Sequence, residues 1–360
     1  MTDNSGGQSD TTNRGRIDAI MSGRGGAGAA LARAGLSVLE IGYRLATWVR
    51  NFLYDVEILR SYKLGRPTVS VGNLTTGGTG KTPMVALLAA ELKSRGHRPA
   101  VLMRGYGKTR GGISDEAALL ESSGVIVEAL PNRRVAAGRV LAREPDVDVF
   151  LLDDGMQHRR VRRDQEIVLF DAAEPFGFGH LLPRGMLRET TAGLQRAHAM
   201  VITRSARITS EQRERLMQRL KSLSPRATIY CCDHVIEHVL ADGVMKPARE
   251  LAQKPYVLAC GIGNPAGFVA AMQAAVGPPS GTRFFPDHHD YRDGDVTMLR
   301  EMAASRGADA VVVTGKDWVK LKSLPSISGR GAAFYVAELE LRFSGADREA
   351  LIAQVMAAVM

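Results

Sequence analysis

The sequence predicts an α/β protein built as two lobes: a mostly parallel sheet covered by helices on both faces, and a smaller second α/β lobe joined to it by a two-stranded linker. Three observations predict it. From residue 67 onward, short apolar runs ("TVSVG", "PAVLM", "GVIVEAL", "VDVFLLD", "EIVLFD", "HAMVITR") alternate with helical stretches, the pattern of a buried parallel sheet. After Pro225 the texture changes: "RATIYCCDHVIEHVL" and "AAFYVAELELRF" are long alternating runs that bracket a second α/β stretch containing "YVLACGIG" and "DAVVVTG". Between the first strand and the first helix of the larger lobe stands a glycine-dense turn, "SVGNLTTGGTGKTP".

In order along the chain, residues 1–28 are Gly, Ser, Thr and Arg with little apolar content, which predicts a disordered basic tail. No clean apolar core precedes a cleavage site, so no signal peptide is expected. Residues 29–225 hold an N-terminal helix and the larger lobe, residues 226–343 the linker and second lobe, and residues 344–360 a closing helix. In the N-terminal helix Arg33, Ser37, Glu40, Arg44, Thr47 and Asn51 recur at alternating four and three residues, while Val38, Ile41, Leu45, Trp48, Val49 and Phe52 fall largely on other faces. Its charges interrupt it too often for a membrane span. Two readings remain open: packing on the core, or lying in a membrane interface with Trp48, Tyr43 and the arginines at the headgroups.

The 360 residues are 45% hydrophobic and 24% charged, with a formal charge of +9 that points to acidic partners such as phosphates or an anionic membrane surface. A nucleic-acid binder is not expected, because no stacking-aromatic module accompanies the charge. The three cysteines form no C-x-x-C pair, which suits a reducing compartment. "CCDHVIEH" offers two thiols with His234 and His238, but strand alternation splits them between two faces, so no metal is expected there.

The glycine-dense turn fits a Walker A phosphate loop from Thr75 through Thr76, Gly77, Gly78, Thr79 and Gly80 to Lys81 and Thr82, with Thr75 where the leading glycine usually stands. Strand, loop and helix follow one another as that motif requires, and Pro83 suits a first helical turn. Loop amides and the helix N-terminus would hold phosphates, Lys81 would neutralise them, and the Thr82 hydroxyl would ligate Mg²⁺. "VFLLDDG" ends a buried strand in Asp153 and Asp154, the Walker B position for metal-holding carboxylates. Arg159, Arg160, Arg162 and Arg163 follow as candidate phosphate contacts. Arg104 and Asp115 fall on a loop at the sheet's active edge, and "FFPDHHDY" places His288 and His289 in the second lobe, where one imidazole working with a carboxylate is the expected use.

"SVGNLTTGGTGKTP", "RGYG", "LLDDGMQHRRVRRDQEIVLFD", "LLPRGMLRE", "GIGNP", "FPDHH" and "VVTGKDWVKL" occur in the order seen in the tetraacyldisaccharide 4′-kinases of lipid A biosynthesis, which the chain resembles over residues 36–343. That family also lacks the leading Walker A glycine. The resemblance implies a P-loop kinase-like fold and ATP-dependent, Mg²⁺-assisted phosphorylation of the 4′-hydroxyl of an acylated disaccharide 1-phosphate lipid. It implies an enzyme held by its N-terminal helix at the cytoplasmic face of the inner membrane, with no obligate protein partner. It carries Lys81 and Thr82 over as nucleotide and Mg²⁺ residues, Asp153 and Asp154 as the Walker B pair, and Glu189 as a metal-site glutamate. Asp115 falls on the family's Gly-Asp-Glu motif, here Ser-Asp-Glu, as proton acceptor paired with His288 or His289. Three departures stand out: a short loop between Tyr106 and Asp115, Gly315 where the family has glutamate, and Phe178 where it has asparagine. A switch ATPase of the partitioning type is the rival reading, but Thr76 occupies the place of its signature lysine. A GTPase is disfavoured because the lysine of "TGKD" stands one place late.

Overall fold

The structure, a computed structural model, describes Met21, Gly23, residues 26–105 and residues 115–360. In chain order the elements begin with α1 (Ala27–Asp55), β1 (Thr68–Asn73), α2 (Lys81–Ser94), β2 (Pro99–Met103), α3 (Asp115–Ser122), β3 (Ile126–Ala129), α4 (Arg133–Arg143), β4 (Val149–Asp153), β5 (Gln165–Asp171) and β6 (Ala199–Thr203). They continue with α5 (Ser210–Leu223), β7 (Thr228–Val235), β8 (His238–Ala241), β9 (Val244–Pro247), β10 (Tyr256–Cys260), α6 (Pro265–Val276), β11 (Gly281–Phe284) and α7 (Asp293–Ser305). The last are β12 (Ala310–Thr314), α8 (Gly315–Leu321), β13 (Ala333–Ala337), β14 (Glu340–Phe343) and α9 (Asp347–Val359).

The described residues fall into two compact units. The larger comprises residues up to 105, 124–233 and 342–360; the smaller comprises 115–123 and 234–341. This division differs from the expected bounds, and residues 226–233, expected with the linker and second lobe, belong to the larger unit. Residues 115–123, expected in the larger lobe, belong to the smaller unit, and the chain returns to the larger unit for its closing helix. The tail expected over residues 1–28 lies mostly outside the described residues, and Ala27 and Gly28 already open α1.

The larger unit carries an eight-stranded sheet in the order β14-β7-β6-β5-β1-β4-β2-β3, and every pairing from β3 through β7 is parallel. Every residue of β1, β2, β4 and β6 is buried, as expected of strands covered on both faces. The chain passes from β4 on one side of β1 to β5 on the other, so the strand order reverses at β1 and opens a crevice beyond its carboxyl end. The glycine turn leaves β1 at that crevice. Helix α5 is started by a capping box, in which Thr209 Oγ1 accepts from the Gln212 N–H at 3.2 Å and Gln212 accepts from the Thr209 N–H.

The smaller unit carries a six-stranded sheet, β11-β10-β12-β13-β8-β9, parallel through β13 and antiparallel beyond it. Each long alternating run of the sequence proves to be two strands. The first breaks between β7 and β8, and the second breaks between β13 and β14, so each run contributes one strand to each sheet. "GIGNP" is the start of α6: Asn264 caps it through the Gly267 N–H, and Pro265 takes the first helical position. Cys231, Cys232 and Cys260 are free and buried, and burial pushes the thiols of Cys232 and Cys260 up to about 12, so they act as packing groups.

Helix α1 turns its polar stripe inward. Glu40 is buried, accepts from the Leu181 N–H at 3.0 Å and pairs with His180 and Arg44. The Tyr43 hydroxyl donates to the Arg188 carbonyl at 2.9 Å, and Asn51 donates to Glu189 at 3.1 Å. The apolar side chains face out: Val38, Leu39, Ile41 and Trp48 are each more than 60% exposed, and Trp48 stacks on exposed Phe52. Of the two readings left open, core packing does not describe these exposed side chains, although Tyr43 of the same helix packs against the core of the larger unit.

Candidate active site

The phosphate loop is assembled from sequence-distant parts of the larger unit. Gly77 (φ +128°) and Gly80 (φ +92°) take backbone conformations that side chains rarely adopt, and Gly80 directly precedes α2. Three groups fix the loop from outside: the Met186 carbonyl accepts from the Thr76 N–H at 2.8 Å, the Thr203 hydroxyl donates to the Thr79 carbonyl at 3.1 Å, and Arg204 donates to the Gly78 carbonyl at 2.9 Å. Thr75 is buried in the place of the missing glycine, its carbonyl taken by Arg188 Nε at 3.1 Å. Lys81 and Thr82 open α2, where no intrahelical acceptor waits for their N–H groups.

Strand β4 pairs with β1 up to Val71 and Asp153, which places Asp153 and Asp154 beside the start of the glycine turn. Asp153 Oδ2 lies 3.1 Å from the Thr82 hydroxyl. Asp154 adopts φ +56°, and Arg188 grips it with two hydrogen bonds of 2.9 and 2.8 Å. Lys81 Nζ sits 3.6 Å from the same carboxylate and 3.1 Å from Asn73 Oδ1. Burial alone would raise the Asp154 carboxyl, but Arg188 and Lys81 outweigh it and hold it at about 2. Burial pushes the Lys81 ammonium down, against the opposing pull of Asp154. The turn is too tight for any substitute at Gly155, where an added Cβ would lie 2.3 Å from Ser70 Oγ.

A nucleotide fits this cradle: the Thr79 hydroxyl is buried there without a hydrogen-bond partner among the described residues, and the loop glycines leave the approach open. Mg²⁺ fits the pairing of the Thr82 hydroxyl with the Asp153 carboxylate. Glu189 is placed differently from the expectation. It is fully buried, and Asn51, Gln157 and Arg196 hold its carboxylate at 3.1, 3.0 and 2.7 Å. Among the described residues Asp153, Asp154 and Glu189 do not gather as one ligand set. The grouping with that geometry is Glu237, His238 and Glu340, where His238 and Glu340 already share a 2.7 Å hydrogen bond.

The second constellation lies wholly in the smaller unit. Asp115 was expected on a loop; it is instead the first residue of α3, while the loop residues 106–114 lie outside the described residues. His288 Nδ1 lies 3.0 Å from Asp115 Oδ2, and Lys320 Nζ lies 2.7 Å from the same oxygen. His288 takes φ +61°, a strained backbone for a histidine. Its side chain is 53% exposed, whereas that of Asp115 is 3% exposed. His289, the other histidine expected to serve Asp115, turns away: its Nε2 meets Asp295 Oδ2 at 3.1 Å and its ring stacks on Phe285. Lys316 pairs with Glu116, so α8 grips the first turn of α3 at two positions one helical turn apart. Gly315 has a packing reason: a Cβ there would come within 3.0 Å of Leu119 on α3. Arg188, Asn73, Thr203, Arg204 and Lys320 escaped sequence reading. Arg188 stands beside a flagged residue, Asn73 and Lys320 lie within "SVGNLTTGGTGKTP" and "VVTGKDWVKL", and Thr203 and Arg204 end the strand "HAMVITR", but no spacing marks any of them out as part of the site.

The chain is similar to known proteins over most of its length. The family model described as LpxK, tetraacyldisaccharide-1-P 4′-kinase, matches residues 32–359. Among curated relatives, a tetraacyldisaccharide 4′-kinase of Geobacter metallireducens is 37% identical over 333 residues, covering 86% of this chain and 94% of that protein. One from Anaeromyxobacter dehalogenans is 36% identical over 313 residues, covering 81% of this chain and 82% of that protein. The crystal structure of LpxK from Aquifex aeolicus in complex with ATP is similar with a TM-score of 0.69 at 25% identity, covering 91% of this chain and all of that one.

Proposed function

The chain belongs to the tetraacyldisaccharide-1-P 4′-kinase family, and we propose that it transfers the γ-phosphate of ATP to the 4′-hydroxyl of an acylated glucosamine disaccharide 1-phosphate. The observation that carries this reading is the phosphate loop of residues 75–82 set beside Asp153 and Asp154 on the neighbouring strand, within a chain matched over residues 32–359. Lys81, the loop amides and the α2 N-terminus would hold the nucleotide phosphates; Thr82 and Asp153, with Asp154 beside them on Arg188 and Lys81, would hold Mg²⁺, which would neutralise charge on the phosphates.

The proton of the attacking hydroxyl goes to His288. Asp115 is nearly inaccessible, while His288 is half exposed, with Nδ1 on Asp115 and Nε2 4.0 Å from the Asp287 carboxylate, the arrangement in which a carboxylate orients a histidine base. Lys320 pairs with the same Asp115 oxygen at 2.7 Å and holds that carboxylate in place. The exposed apolar face of α1 serves peripheral attachment to an anionic membrane surface, the cytoplasmic face of the inner membrane, where the acceptor lies. No helix among the described residues is long and apolar enough to cross a membrane. ATP turnover by the purified chain with and without the acylated acceptor tests the kinase reading. Phosphate should leave ATP only as fast as it appears on lipid. Hydrolysis that ignores the acceptor would favour the switch-ATPase reading.

A further inference from the structure

Asp317, the aspartate of "TGKD", has no part in the mechanism above, yet it is buried at 2% exposure in the first turn of α8. We propose that Asp317 is a positioning residue for the phosphoryl transfer: it fixes the backbone of the loop that presents His288. The inference rests on the kinase reading, with His288 as the base, and deepens it.

An acidic group in a first helical turn ordinarily complements the helix N-terminus, and an exposed carboxylate serves that purpose. Asp317 is buried instead, and its carboxylate reaches across to other segments of the smaller unit. Oδ2 accepts from the Thr314 hydroxyl at 2.6 Å. Oδ1 accepts from the Gly261 N–H at 3.0 Å and from the Tyr291 hydroxyl at 2.9 Å. Burial pushes the Asp317 carboxyl up, and the hydrogen bonds from Thr314, Tyr291 and Gly261 oppose that rise. A buried carboxylate that gathers three donors fixes the segments to which they belong.

Two of those donors secure the loop that carries His288. Gly261 follows β10, and its carbonyl accepts from the His288 N–H at 3.1 Å, so Asp317 fixes the residue on which the His288 backbone rests. Tyr291 closes the loop, and its ring meets those of Phe285 and His289 edge-on at 5.0 and 4.9 Å. There is no slack at Gly261: an added Cβ would lie 3.0 Å from the Pro286 carbonyl oxygen and 3.3 Å from Asp317 Oδ1. His288 needs such anchoring, because a histidine at φ +61° persists only where its surroundings over-determine the backbone. One turn along α8, Lys320 holds Asp115 and donates to the His289 carbonyl at 3.2 Å. Helix α8 thus fixes both members of the pair, the carboxylate through Lys320 and the imidazole through Asp317.

The test is a double-mutant cycle in the full chain between Asp317→Asn and His288→Gln. Asp317→Asn keeps the shape of the side chain while removing its charge and turning one acceptor into a donor. Its kcat should fall at least about tenfold, as a displaced reacting group would cause, with KM for ATP and for the acylated acceptor unchanged. In the His288→Gln background the same substitution should cost no further activity, because it acts through that imidazole. Equal losses in both backgrounds, a rise in either KM, or an unaltered kcat would overturn the proposal. Should Asp317→Asn fail to fold, Tyr291→Phe keeps the ring, removes one donor to Oδ1 and takes its place in the cycle. The same pattern is then expected: a loss of kcat with His288 present and none without it. Were the wild-type chain inactive on the lipid, or His288→Gln fully active, the kinase or base reading would fall. Nitrogen NMR signals of the His288 imidazole, identified by their loss in His288→Gln, would then decide the positioning. They should move in Asp317→Asn, and identical spectra would overturn it.

Discussion

Two adjacent histidines, indistinguishable in the sequence, have different fates in the structure. His288 is strained, exposed and bonded to Asp115; His289 is stacked on Phe285 and bonded to Asp295. His288→Gln should therefore lower kcat by ~100-fold or more, the usual scale for a general base, whereas His289→Gln should leave it within a few-fold. Steady-state kinetics of the two purified variants decide between them. Asp154 makes a pH prediction. Its folded carboxyl is depressed to about 2, so its contribution to stability is complete above the ordinary carboxylate value and lost as pH falls through about 2. The melting-temperature gap between wild type and Asp154→Asn should be constant above pH ~4 and close below it; a gap that widens on acidification would contradict the pairing with Arg188 and Lys81. Phe178 sits at φ +62°, a left-handed position that suits asparagine better than phenylalanine. Phe178→Asn should raise stability by about 1 kcal/mol, read as a higher denaturation midpoint at unchanged slope. A lower midpoint would show that lost packing of the phenyl ring outweighs the relieved strain.

At the scale of elements, α1 shows where periodicity was legible and where it was not. The alternating stripe from Arg33 to Asn51 locates the helix, but cannot say which side faces the protein. Polar side chains face inward because three of them find buried partners in Leu181, Arg188 and Glu189. Trp48→Glu/Phe52→Glu should accordingly leave the fold and the melting temperature nearly unchanged while reducing partition onto anionic vesicles, measured by sedimentation; a large loss of stability would mean that this face packs on protein after all. The phosphate loop was legible because strand, glycines and Gly-Lys-Thr are contiguous, and the Walker B carboxylates because they end a continuous apolar run. Arg188 and Lys320 were not, because each acts through a partner far away in the chain, Asp154 for one and Asp115 for the other. Within residues 226–343 the sequence reads as two long alternating runs bracketing a second α/β stretch. Each is in fact broken near its middle, where the chain leaves one sheet and enters the other.

For the whole molecule, two α/β units were expected and two are found, but segment 115–123 changes sides, which the local texture of the sequence does not reveal. The consequence is chemical. The phosphate loop and the Walker B carboxylates belong to the larger unit, and the Asp115–His288–Lys320 cluster to the smaller, so each half of the proposed chemistry is preorganised within its own core. The central claim is the identity of the transferred group and its destination. Its most direct test is a single reaction of purified protein with ATP, Mg²⁺ and acylated disaccharide 1-phosphate, followed by phosphorus NMR and mass spectrometry of the extracted lipid. One added phosphate is expected, on the 4′-oxygen, and none when Lys81→Ala replaces the wild type. An unmodified lipid with ADP accumulating, or a phosphate on any other oxygen, would contradict it.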